Sequence, residues 1–333
     1  MKALTLLSAD GPASAQLIDH PDPTPATGEV RVAIKAAALN HRELWISRGQ
    51  YPKLNLPCTL GADGAGIIDA VGEGVDASLV GREVVLYPGL NWGDNPLFPS
   101  RAFGLLGMPG PGTIADYVCV PAENAFSKPS SLSFEEAAAL PTAALTAWRG
   151  LTRKAGLKPG ETILITGAGG GVASIAIKFA RALGAEVHVT SGSDETIAQA
   201  CAHGAKAGFN YDSATWRKEL MEKSGGVDVV FDGAPASGFG EYMRALKLGG
   251  RIIVYGSTGA PQFSVTAPEL FLKHATICGT AMGDLVDFAD MLDFVSARGV
   301  KPIIDKAFAL EDARDAMMYL DQGRQFGKIV ISK

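Results

Sequence analysis

The segment at residues 162–183, TILITGAGGGVASIAIKFARAL, constrains this chain most. An apolar, β-rich run leads straight into Gly167, Gly169, Gly170, Gly171 and Val172, and then into a stretch with helical spacing that Gly184 is placed to end. A tight strand-to-helix turn needs positive φ, and glycines let the backbone approach a bulky anion without Cβ atoms in the way. The helix that follows offers free N–H groups and a partial positive charge at its N-terminus, which is where a pyrophosphate sits. The strict GxGxxG spacing fails at Val172; what fits is GxxGxxA, with Gly167, Gly170 and the small Ala173. Read alone, such a cluster is also compatible with a flexible loop. Opening a strand–helix–strand unit, it points to dinucleotide binding.

The surroundings supply that unit. Strand signals recur at 186–190, 227–232 and 251–256, separated by helical stretches at 214–223 and 239–248, so an α/β domain with a doubly wound parallel sheet is expected. The N-terminal third reads differently. Residues 28–35 and 64–70 alternate polar and apolar positions between Gly or Pro, as half-buried strands do. Residues 87–112, with Pro88, Pro96, Pro99, Pro109 and Pro111, form a long surface lobe. Ser133 and Glu136 make a capping box that starts a helix, Pro141 breaks it, and a second helix follows over 143–149. Further helices are expected over 285–298 and 310–322, and FGKIVISK closes the chain as a strand.

Composition narrows the function classes. With 333 residues the chain is long enough for two domains, and 30 basic against 35 acidic side chains, with no basic run, argue against nucleic acid as a partner. The uncharged stretch 162–177 is interrupted by glycines and the N-terminus lacks a long apolar run, so neither a membrane span nor a signal peptide is expected. Cys58, Cys119, Cys201 and Cys278 lie far apart without a CxxC pair, which suits a reducing cytoplasm.

Several stretches carry a resemblance over nearly the whole chain: AALNHRELWISRGQYP, LGADGAGIIDAVGEGV, SLSFEEAAALPTAALTAW, the glycine turn and FGKIVI. The sequence resembles the medium-chain dehydrogenase/reductase superfamily, and within it the quinone-oxidoreductase and zinc-type alcohol-dehydrogenase-like branches. The resemblance implies a GroES-like, β-rich catalytic domain over 1–125 and a Rossmann domain over 126–265. Residues 266–333 would complete the Rossmann edge and return to the first domain. The Cys, His and Cys that hold catalytic zinc in alcohol dehydrogenases of this superfamily are matched here by Asn40, Ala62 and Thr142, and the lobe that carries four structural cysteines carries none. An amide, a methyl and a hydroxyl cannot make a tetrahedral zinc site, so no metal is expected. Asp63, beside the lost His, reads as a residue that structures its turn.

Without a Lewis acid the substrate must already be electrophilic, as quinones and α,β-unsaturated carbonyls are. Asn40, Trp45 and Tyr51 match positions lining the substrate cleft of the quinone-reductase branch, and Thr146 resembles the Thr at the nicotinamide end. Trp45 and Tyr51 could equally be packed core. By the same resemblance Lys328 in FGKIVI is a cofactor-binding residue. The second Rossmann strand ends in Thr190-Ser191-Gly192-Ser193 with no carboxylate for a ribose 2′-hydroxyl, which favours NADP(H) over NAD(H), although Asp194 and Glu195 follow. Ser191, Ser193 and, by resemblance, Tyr211 would receive the 2′-phosphate. His188 reads as a satisfied strand imidazole. The expected function is zinc-independent NADP(H)-dependent reduction of a small-molecule quinone or enone by a homodimer paired near residues 251–255 and 275–279. The alternatives are an alcohol or aldehyde dehydrogenase, and a crystallin-like nucleotide-binding protein without turnover.

Overall fold

In the computed structural model, which describes residues 1–235 and 238–333, the chain forms two compact units: Met1–Ala143 with Asp284–Lys333, and Ala144–Gly283. The second unit holds a six-stranded parallel sheet. Its order is Ala207–Asn210, Glu186–Ser191, Thr162–Ile165, Val227–Asp232, Leu246–Val254, Thr276–Gly279, so in chain sequence the strands run 3-2-1-4-5-6. This is the order of dinucleotide-binding sheets, with the ligand crevice at the carboxyl ends where the winding reverses. Ile163, Leu164 and Ile165 are fully buried, as strands covered on both faces require. Helix Gly171–Ala182 follows the glycine turn, and Gly184 ends it at φ 87°.

The first unit is built on antiparallel strands, with one parallel pair, Ile304–Ala309 beside Lys328–Ser332. The ten-residue strand Glu29–Ala38 lies between Asp63–Val71 and the closing strand Lys328–Ser332. Tyr117–Pro121 pairs along its first half. Strands Glu83–Leu86, Ala125–Ser127 and Ile304–Ala309 complete the sheet. A second sheet, order Ala15–Asp19, Lys2–Leu6, Cys58–Thr59, packs beside it. One apolar cluster fills the space, running from Leu4 and Val32 to Leu320 and Ile331.

Most expected elements are present, with informative differences. Pro141 does not merely end a helix: it is the first residue of helix Pro141–Arg149, where its missing N–H has no intrahelical partner to lose. The capping box at Ser133 forms as expected, Glu136 N–H donating to Ser133 Oγ at 3.1 Å and Ser133 N–H to Glu136 Oε2 at 2.9 Å. Helix Phe134–Ala138 packs on strands Glu29–Ala38 and Asp63–Val71, and the first compact unit runs on to Ala143 before its return at Asp284. Helix Asp194–Ala202 and strand Ala207–Asn210 escape the sequence reading, because both are short and mixed in polarity. Strand Leu246–Val254 begins where helix was expected to continue, since Gly249 at φ 74° and Gly250 suit a bulged strand. Among the described residues no helix is long and apolar enough to cross a membrane.

Candidate active site

Strand register in the first unit brings three distant residues together. Ala38, at the end of the central strand, faces Asp63 on one side and Val330 on the other. Asn40 follows two residues later and Lys328 precedes Val330 by two, so both meet at this strand end. Lys328 Nζ donates to Leu39 O at 2.7 Å, Asn40 Oδ1 at 2.6 Å and Asp63 Oδ2 at 3.0 Å. An ammonium has three N–H donors, and these acceptors use them all. Asp63 Oδ2 also accepts from Asn40 Nδ2 at 2.9 Å, while its Oδ1 accepts from Thr142 N–H at 2.9 Å and Thr142 Oγ1 at 2.5 Å.

Asp63 is 0% exposed and Lys328 3%, and burying two such charges costs several kcal/mol per ion unless hydrogen bonds complete the pair. Here the pairing is complete.

Helix His41–Ser47 starts at Asn40, whose N–H donates to Glu43 Oε2 at 2.8 Å. Glu43 is fully buried, and burial pushes its carboxyl up while the Arg42 guanidinium, 2.9 Å away, works against that. Arg42 also donates to Leu106 O and Met108 O, tying this helix to the proline-rich lobe, and its guanidinium carbon lies 5.1 Å from the Tyr51 ring centre. Tyr51 is half-buried and packs against the core cluster. Trp45, half-buried on the same helix, faces Arg48 at 6.0 Å. Burial and then the nearby charge of Lys328 hold the His41 imidazole below its usual range. Of the candidates, Asn40 is thus bonded directly to Lys328 and Asp63, and Tyr51 is linked to it through Arg42 and Glu43.

The remaining candidates lie in the second unit. Gly167 stands at φ 61°, where a side chain would strain the turn, and Ala168 N–H donates to Thr190 O at 3.1 Å. Gly170 N–H donates to Gly167 O at 3.0 Å, and Gly170 is the N-cap of helix Gly171–Ala182, whose first amides lack intrahelical partners. Ser191 is nearly buried at its strand end, and Ser193 caps helix Asp194–Ala202 by accepting from Thr196 N–H at 3.3 Å. A Cβ on Gly192 would lie 2.8 Å from the Tyr211 hydroxyl, so the glycine admits the Tyr211 ring, itself 50% exposed. Asp194 Oδ1 accepts from Asn210 Nδ2 at 3.0 Å. Thr146 Oγ1 accepts from Met282 N–H at 3.3 Å. His188 is buried with Nε2 2.9 Å from Glu186 Oε1, and burial lowers its basicity.

Sequence reasoning gave Lys328 to the cofactor and Asp63 to its turn without the bonds that join them, and it did not single out Arg42 or Glu43. The signal for Asp63 was available: an aspartate inside a strand, among small residues, has to find buried donors.

The positions that the resemblance assigns to the family's zinc ligands hold no zinc donor set. Asn40, Ala62 and Thr142 offer an amide, a methyl and a hydroxyl, and the neighbouring carboxylate of Asp63 already accepts from an ammonium. Among the described residues no His, Cys, Asp and Glu cluster could hold a metal ion.

The sequence matches two family models, the alcohol dehydrogenase GroES-like domain over residues 26–130 and the zinc-binding dehydrogenase over 171–297. It is 35% identical to the zinc-type alcohol dehydrogenase-like protein YogA of Leptosphaeria maculans, over 93% of this chain and 92% of that protein. To the quinone oxidoreductase of Rattus norvegicus it is 29% identical, over 95% and 92%. The crystal structure of an NAD-dependent alcohol dehydrogenase superposes over all of both chains with a TM-score of 0.94 and 38% identity.

Proposed function

Since the chain belongs to the medium-chain dehydrogenase/reductase superfamily, an oxidoreductase family using nicotinamide cofactors, we propose that it is a metal-independent, NADPH-dependent reductase of quinones or α,β-unsaturated carbonyls. The observation that carries this reading is the closed Asn40–Asp63–Thr142–Lys328 network at the family's zinc positions. A dication entering there would have to displace an ammonium from its carboxylate and would find no thiolate or imidazole. Without a metal the oxidation of simple alcohols loses its Lewis acid, whereas quinones and enones are electrophilic on their own.

In this reading the glycine turn from Gly167 to Val172 holds the pyrophosphate. Ser191, Ser193 and Tyr211 take the 2′-phosphate, and Thr146 lies at the nicotinamide end. The cofactor, when bound, supplies the hydride. Asn40 keeps one Nδ2–H beyond the one given to Asp63, and that donor meets the oxygen on which negative charge develops. Tyr51 is the second donor and the proton source for an enolate, and Trp45 provides a flat apolar wall. NADP is preferred because no carboxylate ends strand Glu186–Ser191 and Asp194 is occupied by Asn210.

The 38%-identical NAD-dependent alcohol dehydrogenase favours a second reading, NAD-linked alcohol oxidation. A turnover screen of quinones, enones, alcohols and aldehydes with both cofactors separates the two. NADPH oxidation with quinones or enones, and tighter binding of NADPH than NADH, are expected. Turnover confined to alcohols with NAD would sink the proposal.

A further inference from the structure

We propose that Lys328 and Asp63 are positioning residues that fix the Asn40 amide as a donor to the substrate oxygen, an inference that rests on the role given to Asn40 above. Lys328 Nζ only donates and the Asp63 carboxylate accepts, and they meet opposite ends of the amide: Nζ at 2.6 Å from Oδ1, Oδ2 at 2.9 Å from Nδ2. Turned over, the amide would set its NH2 against an ammonium and its carbonyl against a carboxylate. A single orientation therefore survives, with one N–H spent on Asp63 and the other presented.

The rest of the network makes the clamp rigid. Thr142 holds the other Asp63 oxygen with both its N–H and its hydroxyl, so the carboxylate cannot turn away. The Asn40 backbone is fixed as well, its N–H donating to the buried Glu43 carboxylate and its carbonyl accepting from Glu43 N–H at 3.1 Å. Lys328 has no N–H left for a substrate or a cofactor, since Leu39 O takes the third. Its part is to orient Asn40, not to touch the reacting atoms. The strand register explains why the device needs the chain's last strand: Lys328 is carried 288 residues along the sequence to reach Asn40.

A donor held in place before the reaction needs no reorganisation as charge develops. Misplacing such a group by about 1 Å can cost on the order of 10²-fold in rate. The two charges cancel within the network, so replacing both with apolar side chains preserves the fold better than removing either alone.

The test is a mutant cycle. Asp63→Leu/Lys328→Met is made in the native chain and in the Asn40→Ala background, with thermal denaturation to confirm folding and kcat and KM measured for an enone and for NADPH. In the native background we expect kcat to fall about 10- to 100-fold, with KM for NADPH changed less than about twofold. In the Asn40→Ala background the pair of substitutions should change kcat no further. If the two losses multiply instead, the pair acts independently of Asn40 and the proposal fails. An increase in KM for NADPH at unchanged kcat would likewise overturn it and make Lys328 a cofactor ligand. A wild-type rate for Asn40→Ala would overturn the donor reading along with this inference, whereas a multiplicative cycle with a slow Asn40→Ala overturns this inference alone. Should the double variant not fold, Thr142→Val removes the hydroxyl bond to Asp63 and carries the same cycle with a smaller first drop.

Discussion

At the scale of single residues, the proposed chemistry depends on which side chains still have a donor to give, and Asn40 keeps one N–H beyond its bonds to Lys328 and Asp63. Removing one oxyanion donor typically costs about 10²–10³ in rate, so Asn40→Ala should lower kcat with enones and quinones to that extent while NADPH affinity holds. For Tyr51→Phe the loss should be larger with enones than with quinones, because the reduced oxygen of a quinone is less basic and can take its proton from water. Steady-state kinetics on both substrate classes check this, and wild-type rates for both variants would reduce the two side chains to packing. The substitution of the zinc ligands by Asn40, Ala62 and Thr142 is a reading the sequence itself offers, since the three sit in stretches that resemble the family's. Lys328 was not legible in this way. Its place follows from the pairing of the last strand beside Ala38, and no local pattern encodes a contact across 288 positions.

At the scale of elements, local signals were decisive where local physics is. Ser133 and Glu136 start a helix because they satisfy each other's backbone N–H, and Pro141 begins the next one because its fixed φ suits a first turn. Strand Leu246–Val254 was misread at its start because Leu246, Lys247 and Leu248 continue a helical pattern, while Leu246 pairs with Val227 and the regular pairing resumes at Arg251 after a bulge. The same strand carries a pH test. Arg251 grips Glu161 with both guanidinium nitrogens, Nη1 to Oε1 at 2.9 Å and Nη2 to Oε2 at 2.7 Å, and holds this carboxyl below the usual range. A carboxylate with a lowered native pKa adds stability above its unfolded value, near 4.3, and loses it as pH falls through the native one. Melting temperature should therefore fall below about pH 4.3 less steeply in Glu161→Gln than in the native chain, and equal slopes would show that the pair contributes nothing.

At the scale of the molecule, strand Thr276–Gly279 ends the six-stranded sheet, and Phe271 and Leu272 just before it are 61% and 66% exposed. An unpaired edge beside exposed apolar side chains is a liability that symmetric pairing removes, so a homodimer through this edge is expected. Light scattering at micromolar concentration should give the dimer mass, and a monomer mass would contradict it. The sequence pointed to this region through its strand signals at 251–255 and 275–279; the sheet order makes only the second of them an edge. The central claim, reduction of self-activated carbonyls by a network of protein donors standing at the zinc positions, meets its most direct test in one measurement. Metal content by elemental analysis and the rate of NADPH oxidation with an enone and a quinone are followed on the same sample before and after exhaustive chelation. The account predicts substoichiometric metal and an unchanged rate. A rate that disappears with chelation and returns with one equivalent of zinc would contradict it.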